Sequence, residues 1–198
     1  MFDTGRPMRH RWLMVLVAAL ALGACAQSSN VSYVDISPYY RPSLVSWMTV
    51  DGKIPAEIHG QPFPTGQVEP EAIAASIAGP AFASPTRLTT DPAAAEARGG
   101  HRIVLLFNPE GAPKFRQICA DAATIKRTPP GEQTITHAAL CAREEIVTTA
   151  VVKSKTASNT EDPLFQSAMS QLIANLLPAF DPTAQQGFGF GPRMRRRK

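Results

Sequence analysis

The pattern of apolar and polar positions divides the chain into an apolar leader, a polar stretch, a patterned body and a glycine-rich end. The leader contains Trp12 to Leu22, a run of eleven residues without a charge. Eleven helical residues span about 17 Å, whereas the hydrocarbon core of a bilayer is about 30 Å thick. The run is therefore too short for a permanent transmembrane helix, and it predicts a removable export signal.

The first half of the body predicts a β-hairpin followed by a helix. Leu44–Val50 is rich in β-branched and aromatic residues, and Asp51-Gly52 is typical of a tight turn before a return strand over Lys53–His59. Proline lacks the amide hydrogen that a sheet ladder needs, so Pro55 predicts an edge position for the return strand. A small helix is expected to begin at Glu69-Pro70.

The second half of the body predicts three strands and one clear helix. His101–Phe107 is a compact apolar run, which indicates a buried strand. Gln133–Cys141 and Glu145–Lys153 are β-rich and are joined by a short polar turn, which favours antiparallel pairing. Asp162-Pro163 is a good helix start, and apolar residues recur at helical spacing from Leu164 to Leu176.

These elements predict an α+β fold, namely a small antiparallel sheet with a C-terminal amphipathic helix packed on it. A single globular domain is expected over residues 44–180. Residues 1–24 are the predicted leader, and residues 25–43 are polar and interrupted by proline, which predicts a tether. Residues 181–198 are rich in glycine and lack periodicity, so we expect a disordered tail.

The leader ends in Leu22-Gly23-Ala24-Cys25, which resembles the lipobox of bacterial lipoproteins. Arg6, Arg9 and Arg11 provide the basic region that precedes the apolar run of an export signal. The resemblance implies cleavage before Cys25, attachment of a diacylglycerol to its sulfur, and acylation of the new amino terminus. The alternative is an ordinary signal peptide in which Cys25 is incidental.

The residue after Cys25 bears on the expected location of the protein. It is Ala26, and not the aspartate that commonly retains lipoproteins in the inner membrane. By resemblance, this implies a protein that is anchored in the outer membrane and faces the periplasm. Membrane lipid is then one expected partner, and another protein of the cell envelope is a second.

Charge is concentrated at the two ends of the chain. The sequence has 20 Lys and Arg against 16 Asp and Glu, and removal of the leader leaves 17 against 15. Five of these basic residues lie in residues 193–198, so the remaining body carries 12 basic and 15 acidic residues. Without a basic folded face, a nucleic-acid partner is not expected. The basic end predicts a weak contact with anionic lipid or with an acidic partner, unless it is simply a solvated terminus.

Cys119 and Cys141 remain once Cys25 is assigned to the lipid. Disulfides persist in an oxidising compartment, so we expect these two cysteines to pair. The bridge would close a loop of about 23 residues and stabilise the fold by about 3 kcal/mol in the chain-entropy treatment. The alternatives are a free catalytic thiol and a zinc site. The short ligand spacings of common zinc sites are absent for Cys119, Cys141, His101 and His137, so no metal or cofactor is expected.

Glu57 and His59 form the candidate polar site of the body. They are two residues apart on a predicted strand, so their side chains share a face. A carboxylate beside an imidazole can transfer protons or hold a metal. The sequence reveals no third partner, so a structural hydrogen bond or simple surface exposure is the alternative. Nucleophile elbow, Walker loop and HExxH motifs are all missing, so we assign no catalytic residue.

The segment Glu57-Ile58-His59-Gly60-Gln61-Pro62-Phe63 is followed by an alanine-rich helix, by a strand ending near Asn108-Pro109, and by two cysteines. This arrangement resembles small proteobacterial exported proteins and lipoproteins of unknown activity. The resemblance spans about residues 44–178 and implies no functional residues. A turn at Gly60 and Pro62, with Phe63 in the core, is a structural explanation of the segment.

Three functions therefore remain. The leading hypothesis is a non-enzymatic lipoprotein of the cell envelope that acts by contacting another envelope component. The second is a periplasmic module that binds a small ligand or a cell-wall fragment. The third is a hydrolase, which would require Glu57 and His59 to meet a further polar group in one cleft.

Overall fold

The protein's computed structural model describes residues 29–79 and 86–179. Its strands are β1 (Ser29–Ile36), β2 (Lys53–His59), β3 (Ala78–Gly79), β4 (Thr86–Thr89), β5 (His101–Phe107), β6 (Gln133–Ala142) and β7 (Glu145–Lys155). Its helices are α1 (Pro42–Met48), α2 (Pro70–Ser76), α3 (Pro92–Glu96), α4 (Phe115–Asp121) and α5 (Pro163–Leu176), and Ala122–Thr124 forms a short 3-10 helix. The expected leader, Cys25 and the expected disordered tail at 181–198 lie outside the described residues.

The strands form one mixed sheet in the order β1-β7-β6-β5-β2-β4-β3. Neighbours from β1 to β5 in this order are antiparallel, whereas β2 is parallel to both β5 and β4. The predicted α+β class and the antiparallel pairing of β6 with β7 are confirmed. The expected small antiparallel sheet is present only in part, as β1, β7, β6 and β5, because the crossover β4–α3–β5 places strands parallel to β2 on both of its sides.

The segment predicted as the first strand of a hairpin is the helix α1. Pro42 occupies the first helical turn, where its missing amide hydrogen costs nothing. Val45 and Met48 are three residues apart and both are buried, so helical spacing matches their burial better than strand alternation does. The turn at Asp51-Gly52 is present, with φ of 49° and 72°, but it joins a helix to β2 and not a strand to β2.

The structure also corrects the position of β2, which lies inside the sheet and not at its edge. Lys53 to Pro55 pair with β4, and Ala56 to His59 pair with β5. Pro55 is therefore the residue at which pairing passes from one neighbour to the other. This change of partner lets a residue without an amide hydrogen occupy an interior strand.

The predicted tether at 25–43 is wrong for its described part, because Ser29–Ile36 forms the edge strand β1. Ser29 pairs with Ser154 and Ile36 with Thr148, so β1 follows β7 along most of its length. The polar composition that indicated a tether instead reflects an edge strand whose outward side chains face water.

The two faces of the sheet differ in the size of their cores. We call the face that carries Ile103, Leu105 and Phe107 the α5 face, because α5 packs on it together with α1 and α2. The opposite face carries Val104 and Leu106 and is covered by α4, so we call it the α4 face. Strand alternation assigns successive residues of β5 to the two faces.

The helix α5 begins and packs as the sequence predicts. The side chain of Asp162 accepts a hydrogen bond from the Leu164 amide at 2.9 Å, which is the N-cap interaction. Phe165 of α5 lies 5.1 Å from Phe63, centroid to centroid, so Phe63 is in the core as expected. Gly60 has φ +84°, and a Cβ there would lie 2.6 Å from the Phe107 carbonyl oxygen, so only glycine fits this turn.

Candidate functional site

Glu57, His59 and Arg102 form one hydrogen-bonded cluster on the α4 face. Oε1 of Glu57 lies 2.7 Å from Nε2 of His59, and Oε2 accepts a hydrogen bond from Nε of Arg102 at 2.7 Å. Glu57 and His59 share a face of β2, and Arg102 reaches them from the start of the parallel neighbour β5. The structure therefore supplies the third polar partner that the sequence did not reveal.

Arg102 is held by backbone carbonyls as well as by Glu57. One terminal nitrogen donates to the carbonyl of Arg143 at 2.9 Å and to that of Gly100 at 3.4 Å, and the other donates to the carbonyl of Cys119 at 2.9 Å. With the bond to Glu57, these contacts use most of the five N–H groups of a guanidinium. Arg102 therefore connects β5 to the β6–β7 turn and to α4, and few of its donors are left for a ligand.

The surroundings of Glu57 keep it ionised. The hydrogen bond from His59 lowers the pKa of Glu57 most, and the hydrogen bond and positive charge of Arg102 lower it further. Partial burial acts in the opposite direction, and the resulting pKa of Glu57 is about 2. General bases work best when their pKa is near the working pH, so Glu57 is poorly suited to proton abstraction at neutral pH.

A cavity of about 360 Å³ adjoins this cluster. One wall is formed by β2 and the start of β5, and the other by α3 and the residues that lead into it. The lining residues are Ala56, Glu57, Thr90, Asp91, Pro92, Ala95, Glu96, Gly100 and Arg102. Three carboxylates and one engaged guanidinium thus border a space that is large enough for a small ligand.

The hydroxyl group in the lining of this cavity belongs to Thr90. Its Oγ1 donates a hydrogen bond to Oε2 of Glu71, and its backbone amide donates to the same oxygen at 2.8 Å. These bonds lower the pKa of Glu71. Glu71 is the group placed to accept the proton of Thr90, and its lowered pKa makes it a weak base for that purpose.

Cys119 and Cys141 are joined by a disulfide, with their Cα atoms 5.5 Å apart. The bond attaches α4 to β6 beside the carbonyl that Arg102 binds. It removes the free-thiol alternative for both residues. The zinc alternative loses its sulfur ligands as well, and in residues 29–79 and 86–179 no group of three or more His, Cys, Asp or Glu is placed to hold a metal.

His137 lies on the α4 face, outside the cluster. It is only 8% exposed, and its Nδ1 has no hydrogen-bond partner within the described part of the chain. Burial lowers the pKa of His137 to about 4, with a smaller contribution from the charge of Lys153. The ring packs 5.8 Å from that of Phe115. His137 is therefore a neutral core residue at neutral pH.

His101, the remaining histidine among the zinc candidates, has structural contacts. One ring nitrogen lies 2.8 Å from the Arg98 carbonyl, and the ring packs edge-on against Trp47 at 5.0 Å. The guanidinium of Arg98 lies 5.6 Å from the Trp47 ring centre. These contacts fix the loop between α3 and β5 and do not bring His101 into the Glu57 cluster.

Sequence reasoning found Glu57 and His59 but missed Arg102 and the α3 side of the cavity. Arg102 stands 45 positions from Glu57, so only the parallel register of β2 and β5 brings the two together. One signal was available, because an arginine within a buried apolar strand needs a counter-charge. That signal indicates a carboxylate partner without identifying it.

Within the described residues, no helix combines the length and apolar character needed to cross a membrane. Cys25, the expected lipidation site, lies outside those residues. Comparisons of the chain with protein-family models, with curated proteins and with solved structures gave no match.

Proposed function

We propose that this protein is an exported lipoprotein, anchored through Cys25 on the periplasmic side of the outer membrane, whose body binds another component of the cell envelope. The observation that carries the proposal is the sequence Leu22-Gly23-Ala24-Cys25 directly after an apolar run of eleven residues. A Cys119–Cys141 disulfide supports it, because such bonds persist in exported proteins.

The geometry of the Glu57 cluster favours binding over catalysis. Glu57 is ionised and paired with Arg102, and the donors of Arg102 are largely used by carbonyls. The hydrolase hypothesis required a third polar group beside Glu57 and His59, and Arg102 is such a group. However, the hydroxyl in the cavity lining, that of Thr90, is paired with Glu71, and the lowered pKa values of Glu71 and Glu57 make both carboxylates weak bases, which disfavours hydrolysis.

The anchor is tested by mass analysis of the protein purified from membranes of cells that express the full chain. The expected mature chain begins at Cys25 and carries a diacylglycerol thioether and an amino-terminal acyl group. A Cys25→Ser variant should keep its leader and lack lipid, and Cys119→Ala/Cys141→Ala should be lipidated normally. An unmodified Cys25 in the native chain would refute the proposal.

The partner is tested by crosslinking in cells followed by purification of the lipidated protein. A repeatable envelope protein that is crosslinked to the wild type and lost with Cys25→Ser is expected, because the anchor places the body beside its partner. Failure to recover any protein repeatably, with lipidation intact, would contradict the interaction role.

The cavity favours a second candidate function, which is the binding of a small ligand or cell-wall fragment. Glu57, Asp91 and Glu96 border it, so a ligand that carries an amino group is the best chemical match. Such a ligand should raise the melting temperature, because it binds only the folded state. Glu96→Gln should reduce this rise, whereas Glu144→Gln, an exposed change in the β6–β7 turn, should not. A rise that is unaffected by Glu96→Gln would exclude the cavity.

A further inference from the structure

The distance along the chain between Cys25 and the sheet limits where the body can lie. β1 begins at Ser29, so only residues 26–28 separate it from Cys25. An extended chain advances at most about 3.6 Å per residue, so the first strand starts within about 15 Å of the Cys25 position. A lipid on Cys25 therefore holds one end of the sheet beside the bilayer.

Basic residues surround the position at which the chain enters the sheet. Ser29 pairs with Ser154 of β7, and Lys153 and Lys155 flank that residue with exposed side chains. The backbone amide of Glu110, three residues after β5, donates to the Lys126 carbonyl at 2.9 Å. The segment that contains Lys126 is therefore at the same end of the sheet as the close of β5.

We call Lys126, Arg127, Lys153 and Lys155 the anchor-end cluster. Arg127 belongs to it because its backbone forms an isolated β-bridge with Pro109, two residues after the end of β5. All four side chains are exposed, and in the described ranges none of them forms an ion pair.

The cluster is a local group of basic residues in a body with a slight excess of acidic ones. The described residues contain 12 Lys and Arg against 14 Asp and Glu. Glu110 and Glu132 are on segments that neighbour the cluster, and Glu161 and Asp162 lie between Lys155 and α5, so this end carries four basic and four acidic residues. Asp162 is engaged by the amides of Ser158 and Leu164. Exposed basic side chains that form no ion pair in the described ranges are thus grouped at the end nearest to Cys25.

We propose that the anchor-end cluster contacts the headgroups of an anionic phospholipid surface and orients the body on the membrane. The inference rests on the proposed lipid anchor and adds to it a second attachment. A basic residue close to an anionic surface strengthens binding about fivefold, and stable attachment generally combines a lipid with such a second signal.

The contact gives the protein a defined orientation. His101 begins β5 at the opposite end of the sheet, and Trp47 packs against it. Gly100 and Arg102, which line the cavity, are beside His101. The cavity and Trp47 therefore face away from the lipid and toward the compartment, where a soluble ligand or a second protein can reach them.

The first experiment measures amine labelling of the lipidated protein in vesicles. One set contains phosphatidylcholine alone, and the other also contains phosphatidylglycerol. Lys126, Lys153 and Lys155 should be labelled about fivefold more slowly in the anionic vesicles, and high salt should remove the difference. Lys53, exposed at the opposite end, is the internal control and should be labelled equally in both.

The second experiment tests orientation through Trp47, because Trp12 lies in the leader and Trp47 is the other tryptophan of the chain. Quenching by brominated lipid should be weaker in anionic than in neutral vesicles, since the cluster holds Trp47 away from the bilayer. Lys126→Gln/Lys153→Gln/Lys155→Gln should abolish the difference. At the other end of the sheet, Arg87 pairs with Lys53, and Arg116 is ion-paired with Glu145 at the start of β7. Lys53→Gln/Arg87→Gln/Arg116→Gln therefore removes the same number of positive charges there and should preserve the difference.

Mass analysis of Cys25 in the same sample separates the two proposals. If Cys25 is lipidated but the three lysines are labelled at equal rates in both vesicles, the surface contact is refuted and the anchor stands. The surface contact is likewise refuted if both triple variants behave alike. An unmodified sulfur refutes both proposals.

Discussion

The α5 face and the α4 face of the sheet are stabilised in different ways. Buried apolar side chains on the α5 face form a cluster of 27 residues that includes six residues of α5, whereas the cluster on the α4 face has 8. The smaller face compensates with specific bonds, namely the Cys119–Cys141 disulfide and the hydrogen bonds of Arg102. Buried apolar packing stabilises the α5 face, whereas a disulfide and hydrogen bonds stabilise the α4 face.

The face with the larger apolar core is not the face that carries the candidate site. The Glu57 cluster is on the α4 face, and both links that hold α4 lie next to it. A site supported by a few discrete bonds can be altered without unfolding the protein, because the α5 face retains its own core. Each variant below therefore tests whether the two faces respond independently.

The largest effect is expected from a cavity in the α5 face. Leu172 is fully buried, so Leu172→Ala should lower the free energy of unfolding by about 3–4 kcal/mol. Urea denaturation measures this change. Ser170→Ala on the same helix is the control, and we expect it to stay within about 0.5 kcal/mol of the wild type. If both variants lose the same free energy of unfolding, packing on the α5 face does not dominate the stability of the protein.

The second effect comes from the covalent link of the α4 face. Cys119→Ala/Cys141→Ala should lower the free energy of unfolding by about 3 kcal/mol, because the unfolded chain regains the freedom of the closed loop. A reducing agent should have the same effect on the wild type and none on the double variant. If a reducing agent leaves the urea midpoint of the wild type unchanged, the Cys119–Cys141 disulfide is contradicted.

The third effect concerns the buried His137 and depends on pH. The pKa of His137 is about 4 in the folded protein, below the ordinary 6.5, so the unfolded chain takes up the proton first as pH falls. Stability should therefore decline between pH 6.5 and 4. His137→Leu should remove about 2 kcal/mol of that decline and leave stability at pH 8 nearly unchanged. Equal slopes for the two proteins, measured by urea denaturation at each pH, would show that His137 titrates normally.

The regular elements were accessible to sequence reasoning where a single signal was long or specific. α5 has fourteen residues and a good N-cap at Asp162, and β6 and β7 are joined by a short turn. By contrast, Pro42–Met48 has seven residues, too few to distinguish a period of two from one of 3.6. The edge strand β1 was missed for a related reason, since its stability comes from pairing with β7 and not from its own pattern.

The candidate site was accessible only in part, for a physical reason. Glu57 and His59 are two apart on one strand, so local geometry brings them together. Arg102 and the residues of α3 join them only through the crossover that makes β2 and β5 parallel neighbours. A crossover of this kind leaves no local pattern in the sequence. It also brings Arg102 to the Glu57–His59 pair, and the guanidinium neutralises the charge of the carboxylate.

The smallest effect is expected from the Glu57 cluster itself. The folded pKa of Glu57 is about 2, below the ordinary 4.5, so its contribution to stability is present above pH 4.5 and is lost as pH falls toward 2. The Glu57 side chain is 39% exposed, and solvent screening reduces the contribution to about 1 kcal/mol. Glu57→Gln should show this loss at pH 6 and converge with the wild type near pH 2, whereas exposed Glu144→Gln should follow the wild type throughout. Because the windows of Glu57 and His137 meet only near pH 4, one set of denaturation curves from pH 8 to 2 separates them. A Glu57→Gln protein as stable as the wild type at pH 6 would mean that Arg102 and its carbonyl partners hold the α4 face without the carboxylate.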